Sequence, residues 1–137
     1  MSEHEEQTVL FRWSAAYEYR YPELSLLFAI PNGAKLSWRR NPKTGSRYSP
    51  EAQRLLAEGL RPGVPDTMLP VPRGIYHGAY CELKVGKNKP TEEQSRWLEA
   101  LKRQGYSTCV AYGAGEAIRF YAEYLGLDIK EFNEWLL

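Results

Sequence analysis

The stretch Asp66-Thr-Met-Leu-Pro-Val-Pro-Arg-Gly-Ile-Tyr-His-Gly-Ala-Tyr-Cys-Glu-Leu-Lys-Val85 decides how the chain is read. Two runs with strand character, Thr67 to Val71 and Gly78 to Val85, flank the turn signal Pro72-Arg73-Gly74 and predict a β-hairpin. With the turn centred on Gly74, Asp66 lies as far before it as Glu82 lies after it. The two carboxylates then become cross-strand neighbours on one face, with side-chain roots roughly 4.5 to 5.5 Å apart. A slip of one residue would turn Asp66 away. Strand residues two apart share a face, so Lys84 points with Glu82. A second acid-x-Lys match, Asp128-Ile129-Lys130, falls at a helix start. There the two side chains diverge by about 200°, and Asp128 is better explained as an N-cap.

Adjacent carboxylates repel, and such a pair requires a shared proton or a cation between its members. Hard oxygen ligands completed by water suit Mg²⁺ or Mn²⁺. A metal held by Asp66, Glu82 and the backbone carbonyl of Leu83 would polarise a phosphate oxygen and acidify a bound water. Lys84 would orient or deprotonate that water and offset transition-state charge. The competing reading makes Glu82 and Lys84 an exposed strand face and Asp66 a turn residue. No nucleophile elbow, Walker loop or helical HExxH is present, so serine hydrolase, nucleotide hydrolase and zinc protease chemistry lack support.

Upstream, Arg61-Pro-Gly-Val-Pro65 forbids helix and ladder and makes a stiff approach to Asp66. Ser49-Pro50 opens a short helix stopped by Gly59. Leu24-Ser-Leu-Leu-Phe-Ala-Ile30 reads as a buried strand ended by the turn Pro31-Asn32-Gly33, and residues 5 to 19 read as a helix. Downstream, Thr91 to Gln104 is a helix with a Thr91/Gln94 capping box and Gly105 as its stop. Tyr106 to Tyr112 is a strand. A helix from Gly113-Ala-Gly115 to about Leu125 follows, and a last one begins at Asp128 with Glu131 in capping-box position. This order predicts an α/β fold, a mixed sheet flanked by helices, in one domain over residues 1–137.

Composition sets the outer bounds. Four Trp and ten Tyr supply bulky core material or flat contact surfaces. Cys81 and Cys109 sit in strand-like runs without CxxC spacing and read as buried thiols rather than zinc ligands. The apolar run at 24–30 is far short of the roughly 20 residues of a membrane helix, and Ser2-Glu-His-Glu-Glu6 lacks the features of a secretory signal. A cytoplasmic protein of a bacterial or phage-infected cell is expected. Net charge is only +1, yet Lys35, Arg39, Arg40, Lys43 and Arg47 fall between Pro31 and Pro50 with no acid among them. That run is either a solvated loop or a region that meets a polyanion.

Pro65-Asp66 followed by Glu82-Leu83-Lys84 resembles the signature of the PD-(D/E)xK nuclease superfamily. The wider set is similar to its virus-type replication-repair nuclease branch (VRR-NUC), in the stand-alone form of phages and bacteria. It comprises Glu3 and Gln7, Pro31-Asn32-Gly33, Gly59 with Gly63-Val-Pro-Asp66, Tyr80-Cys-Glu-Leu-Lys84, Gln94, Trp97 and Gly105-Tyr106. The resemblance implies a restriction-endonuclease-like fold, with Asp66 and Glu82 as metal ligands and Lys84 as the catalytic lysine. It also implies a helper acid in the first helix, for which Glu3 is favoured and Glu6 stays open. Gln94 is placed near the active site, alongside its structural reading as a capping-box residue. Structure-selective DNA cleavage by a homodimer, as in Holliday-junction resolvases, is implied too, with the 35–47 stretch, Trp38 and Tyr48 contacting DNA. A non-catalytic DNA-binding or assembly module and a restriction-type, sequence-specific endonuclease are the alternatives.

Overall fold

The computed structural model describes residues 1–31 and 39–137. In chain order its elements are α1 (Glu3–Tyr17), β1 (Phe28–Ala29), β2 (Arg39–Arg40), β3 (Arg47–Tyr48), α2 (Pro50–Ala57), β4 (Thr67–Leu69), β5 (Ala79–Lys84), α3 (Glu92–Arg103), β6 (Ser107–Tyr112) and α4 (Ala114–Tyr124), with 3-10 turns at Pro22–Leu26 and Ile129–Trp135. The main sheet runs β1-β4-β5-β6; β4 is antiparallel to both β1 and β5, and β6 is parallel to β5. A parallel pair needs a crossover, which α3 supplies. The predicted mixed sheet flanked by helices is the fold found.

The decisive hairpin has the predicted register by a different route. Thr67 pairs with Cys81, Met68 with Tyr80 and Leu69 with Ala79, so the next position back sets Asp66 opposite Glu82. The tip, however, is Gly74-Ile75, closed by backbone bonds of 3.1 and 2.9 Å between Arg73 and Tyr76. Gly74 has φ 55°, which suits the first central position of a II′ turn. Counted from that tip alone, Asp66 would face Leu83. Pro70, Val71 and Pro72 on one arm are matched by only His77 and Gly78 on the other, and this bulge shifts the register by one. The prolines also end β4 at Leu69, two residues earlier than predicted.

Alternation along β5 sends Ala79, Cys81 and Leu83 into the core, where they meet Leu69, Ala111, Leu10, Trp13, Ile118 and Tyr121. Each large aliphatic side chain buried there contributes about 1.5–3 kcal/mol. The Thr67 hydroxyl reaches the Cys81 carbonyl at 3.2 Å and the Tyr121 hydroxyl at 2.7 Å, tying the hairpin to α4. Tyr80, Glu82 and Lys84 take the opposite face, where Gln94 of α3 reaches Glu82.

Three predicted elements are corrected. The first helix spans Glu3–Tyr17 rather than 5–19, because Ser2 and Glu5 form a capping box that starts it earlier. The run Leu24–Ile30 is not one strand: Pro22 opens a 3-10 turn that buries Leu24 and Leu27, and only Phe28 and Ala29 pair, with Met68 and Thr67. Spacing by three fits that turn better than a strand's period of two. At the C-terminus Asp128 caps Lys130 N–H at 3.0 Å, as expected of an N-cap. Glu131 does not complete a capping box; it accepts from the Tyr21 hydroxyl and pairs with Arg20 at 2.6 Å.

Candidate active site

Stiff chain delivers the first carboxylate. Pro65 is fully buried, the Asp66 carbonyl accepts from Ile30 N–H at 2.8 Å, and Asp66 Oδ2 accepts from Leu83 N–H at 2.8 Å. A side chain just before β4 thus continues the ladder after the backbone pairing has stopped. Glu82 is 1% exposed; its Oε2 accepts from Gln94 Nε2 at 3.4 Å, while its Oε1 has no hydrogen-bond partner among the described residues. Lys84 is 7% exposed at the end of β5, where its carbonyl accepts from Gly113 N–H at 3.0 Å.

Burial, then a hydrogen bond to Asp66 and the charge of Asp66, push the Glu82 carboxyl up to about 9; Lys84 opposes this and Glu3 adds to it. At neutral pH without a cation, Glu82 therefore keeps a proton. The expected meeting of Asp66, Glu82 and Lys84 is what the structure contains.

The two acids left open in the first helix are separated. Glu3 is near enough for its charge to act on Glu82. Glu6 turns to α4, where its Oε2 accepts from Ala114 N–H at 2.9 Å; Gly113, the N-cap there, has no side chain to do so. This cap in trans was not anticipated, and only three-dimensional proximity across 108 residues reveals it. Gln94 combines both of its readings. Its Oε1 accepts from Thr91 N–H at 2.9 Å in the capping box, which leaves the amide nitrogen to face Glu82.

From Arg39 to Tyr48 the basic stretch forms a short hairpin. Arg39 pairs with Tyr48 and Arg40 with Arg47 across a turn in which Gly45 N–H reaches the Asn41 carbonyl at 2.8 Å. Arg39, Arg40, Lys43 and Arg47 are all exposed. Among the described residues, no hydrogen bond or ion pair joins the Arg39, Arg40 or Lys43 side chain to Asp66, Glu82 or Lys84. The expectations for Asn32-Gly33, Lys35 and Trp38 lie outside the described residues. Cys81 and Cys109 are free thiols directly opposite each other on β5 and β6, Cys81 buried and Cys109 half-buried.

A sequence model of the VRR-NUC domain matches residues 6–115. The chain belongs to the VRR-NUC family. Asp66, Glu82, Leu83, Lys84 and Gln94 all fall within the matched stretch, and Glu3 lies just before it. A solved structure described as a VRR_NUC domain protein is 26% identical, with a TM-score of 0.72 over 93% of this chain and 91% of that one. No protein of curated function matches the sequence. VRR-NUC is a nuclease family, which makes DNA the substrate class. Among the described residues no helix is long and apolar enough to cross a membrane.

Proposed function

We propose that this chain is a divalent-metal-dependent DNA endonuclease, structure-selective in the manner of a Holliday-junction resolvase, serving repair or recombination as a homodimer. The reading rests on one observation: Asp66 and Glu82 meet as a buried pair beside Lys84, the first held by Leu83 N–H and the second by the Gln94 amide, with Glu82 Oε1 unpartnered among the described residues. Family membership supports it independently.

Among the described residues, no group of three His, Cys, Asp or Glu side chains could hold an ion by itself. Mg²⁺ does not require one, since it is commonly held by one or two carboxylates with water completing its shell. Asp66 and Glu82 fit that demand, and the orphaned Oε1 is an acceptor that a cation would satisfy. The Leu83 carbonyl fits as a third donor, because a strand residue's N–H and C=O leave on the same side and its N–H already points at Asp66. Asp66, Glu82 and Leu83 would therefore hold Mg²⁺ or Mn²⁺, which when bound supplies Lewis-acid polarisation and an acidified water.

The chain's own residues do the rest. Leu83 N–H fixes the Asp66 carboxylate, and the Gln94 amide fixes Glu82. Lys84 orients or deprotonates the attacking water and offsets charge developing on the phosphate. Glu3 acts as the helper acid. Lys35, Arg39, Arg40, Lys43 and Arg47 contact DNA phosphates. A two-fold dimer would set two such sites on opposing strands, as junction resolution demands.

The test is cleavage of junction, flap, nicked and linear duplex substrates in Mg²⁺ or Mn²⁺, with Asp66→Asn, Glu82→Gln and Lys84→Gln as controls. Faster cutting of branched DNA, lost in all three variants, is the expected result. Cleavage that survives all three substitutions sinks the mechanism, and equal cutting of every substrate sinks the selectivity.

A further inference from the structure

The segment between Lys84 and Gln94 is anchored in the site at both ends. It leaves from β5 at Lys84 and returns at α3, whose Gln94 amide meets Glu82. Just past Lys84 the chain reverses in a turn closed by Asn88 N–H to the Val85 carbonyl at 3.2 Å, and Gly86 supplies the φ of 57° the turn needs at its first central position. Gly86, Lys87, Asn88 and Lys89 are all exposed. Three residues of chain reach at most about 11 Å, so the Lys87 backbone cannot stand further than that from Lys84. The turn is thus a rim on the carboxylate site.

That rim is uniformly basic. From Leu83 to Thr91 the only charges are Lys84, Lys87 and Lys89. Among the described residues, Arg20, Arg73, Arg96 and Arg119 each pair with a carboxylate, whereas Lys87 and Lys89 pair with none. With Glu82 protonated, the carboxylates of Asp66 and Glu3 are what would repel an incoming polyanion, and two unpaired cations at the same rim oppose that repulsion. The ligand chemistry that answers a short row of unpaired ammonium groups is a row of backbone phosphates, about 3.4 Å apart in rise along one strand.

We infer that the Gly86–Lys89 turn is a phosphate-binding element in which Lys87 and Lys89 hold the nucleic-acid backbone beside the bond to be cut. The inference rests on the nuclease reading but concerns binding, so it is measured separately from turnover. Fluorescence anisotropy of the full chain in EDTA, with labelled duplex and four-way-junction DNA between 50 and 200 mM NaCl, gives affinity and its salt slope. Lys87→Gln and Lys89→Gln should each flatten the log–log slope by about one, and the double variant by about two. Lys102→Gln, at the far end of α3, removes the same charge and should leave the slope unchanged. In cleavage assays the double variant should raise KM severalfold with kcat within about twofold.

A double variant with the wild-type melting curve and an unchanged slope overturns the inference, as does a loss matched by Lys102→Gln. Flattened slopes in a protein that cuts no DNA with Mg²⁺ or Mn²⁺ would leave the phosphate element standing and overturn the endonuclease reading instead.

Discussion

Among the described residues, the antiparallel hairpins β4–β5 and β2–β3 carry charge in opposite ways. The β4–β5 hairpin buries its acids: Asp66 and Glu82 are almost fully buried, the first held by Leu83 N–H and the second by the Gln94 amide. β2–β3 turns its cations outward, with Arg39, Arg40, Lys43 and Arg47 all exposed. Burial makes each charge in the first hairpin costly and therefore strongly coupled to a proton or cation. Exposure makes each charge in the second nearly free of cost and answerable mainly to salt. In the proposed function the first hairpin carries the chemistry and the second makes the contact.

The largest expected effect separates them by activity. Asp66→Asn, Glu82→Gln or Lys84→Gln should lower the cleavage rate by at least about 10²-fold while leaving metal-free DNA binding within about threefold. The Arg39→Gln/Arg40→Gln variant should do the reverse, raising KM and flattening the salt slope by about two with kcat little changed. A hairpin variant that loses kcat while the acid variants keep it would break the contrast.

Next in size is the pH dependence of stability. Glu82 is raised from 4.5 to about 9 in the fold, so between those values the native state binds a proton that the unfolded chain has lost. Stability of the metal-free protein should therefore fall as pH rises through that window, with an upper limit of about 1.4 kcal/mol per pH unit. Glu82→Gln should flatten the curve and melt higher than wild type at pH 8 in EDTA. Melting temperatures measured from pH 5 to 9 check this, and parallel curves for the two proteins would count against it.

A smaller effect tests the frame around the site. Glu6→Ala removes the side chain that accepts from Ala114 N–H at the start of α4 and should cost about 1 kcal/mol, with Glu6→Gln recovering most of it, as read by urea denaturation. The smallest effect returns to the outer hairpin: Arg39→Gln/Arg40→Gln should change stability by less than about 0.5 kcal/mol per site.

Much of this was legible in the residues. The Thr91–Gln94 capping box, the Ser49-Pro50 start of α2 and the alternation of β5 are local signals, and local signals survive folding. The Asp66–Glu82–Lys84 grouping was legible for the same reason, being set by one hairpin. The Ser2/Glu5 capping box that starts α1 is a local signal that was missed; the other failures depend on partners distant in sequence. The run 24–30 looked like a strand because its apolar content hides a period of three, and only Met68 and Thr67 decide which two residues pair. The separation of Glu3 from Glu6 depends on where α4 begins, more than a hundred residues later. The register was read correctly from a turn centre that is off by half a residue, the error being cancelled by the prolines at 70 and 72.

That cancellation makes Pro70–Pro72 a parity check on the strand that carries Glu82 and Lys84. Val71 packs in the core and the prolines end β4, but the register depends on the number of these residues, which must exceed that of the other arm by one. Deleting any single one would carry every partner of β5 along by a step, swapping inward for outward, with all the chemical groups intact and none of them meeting.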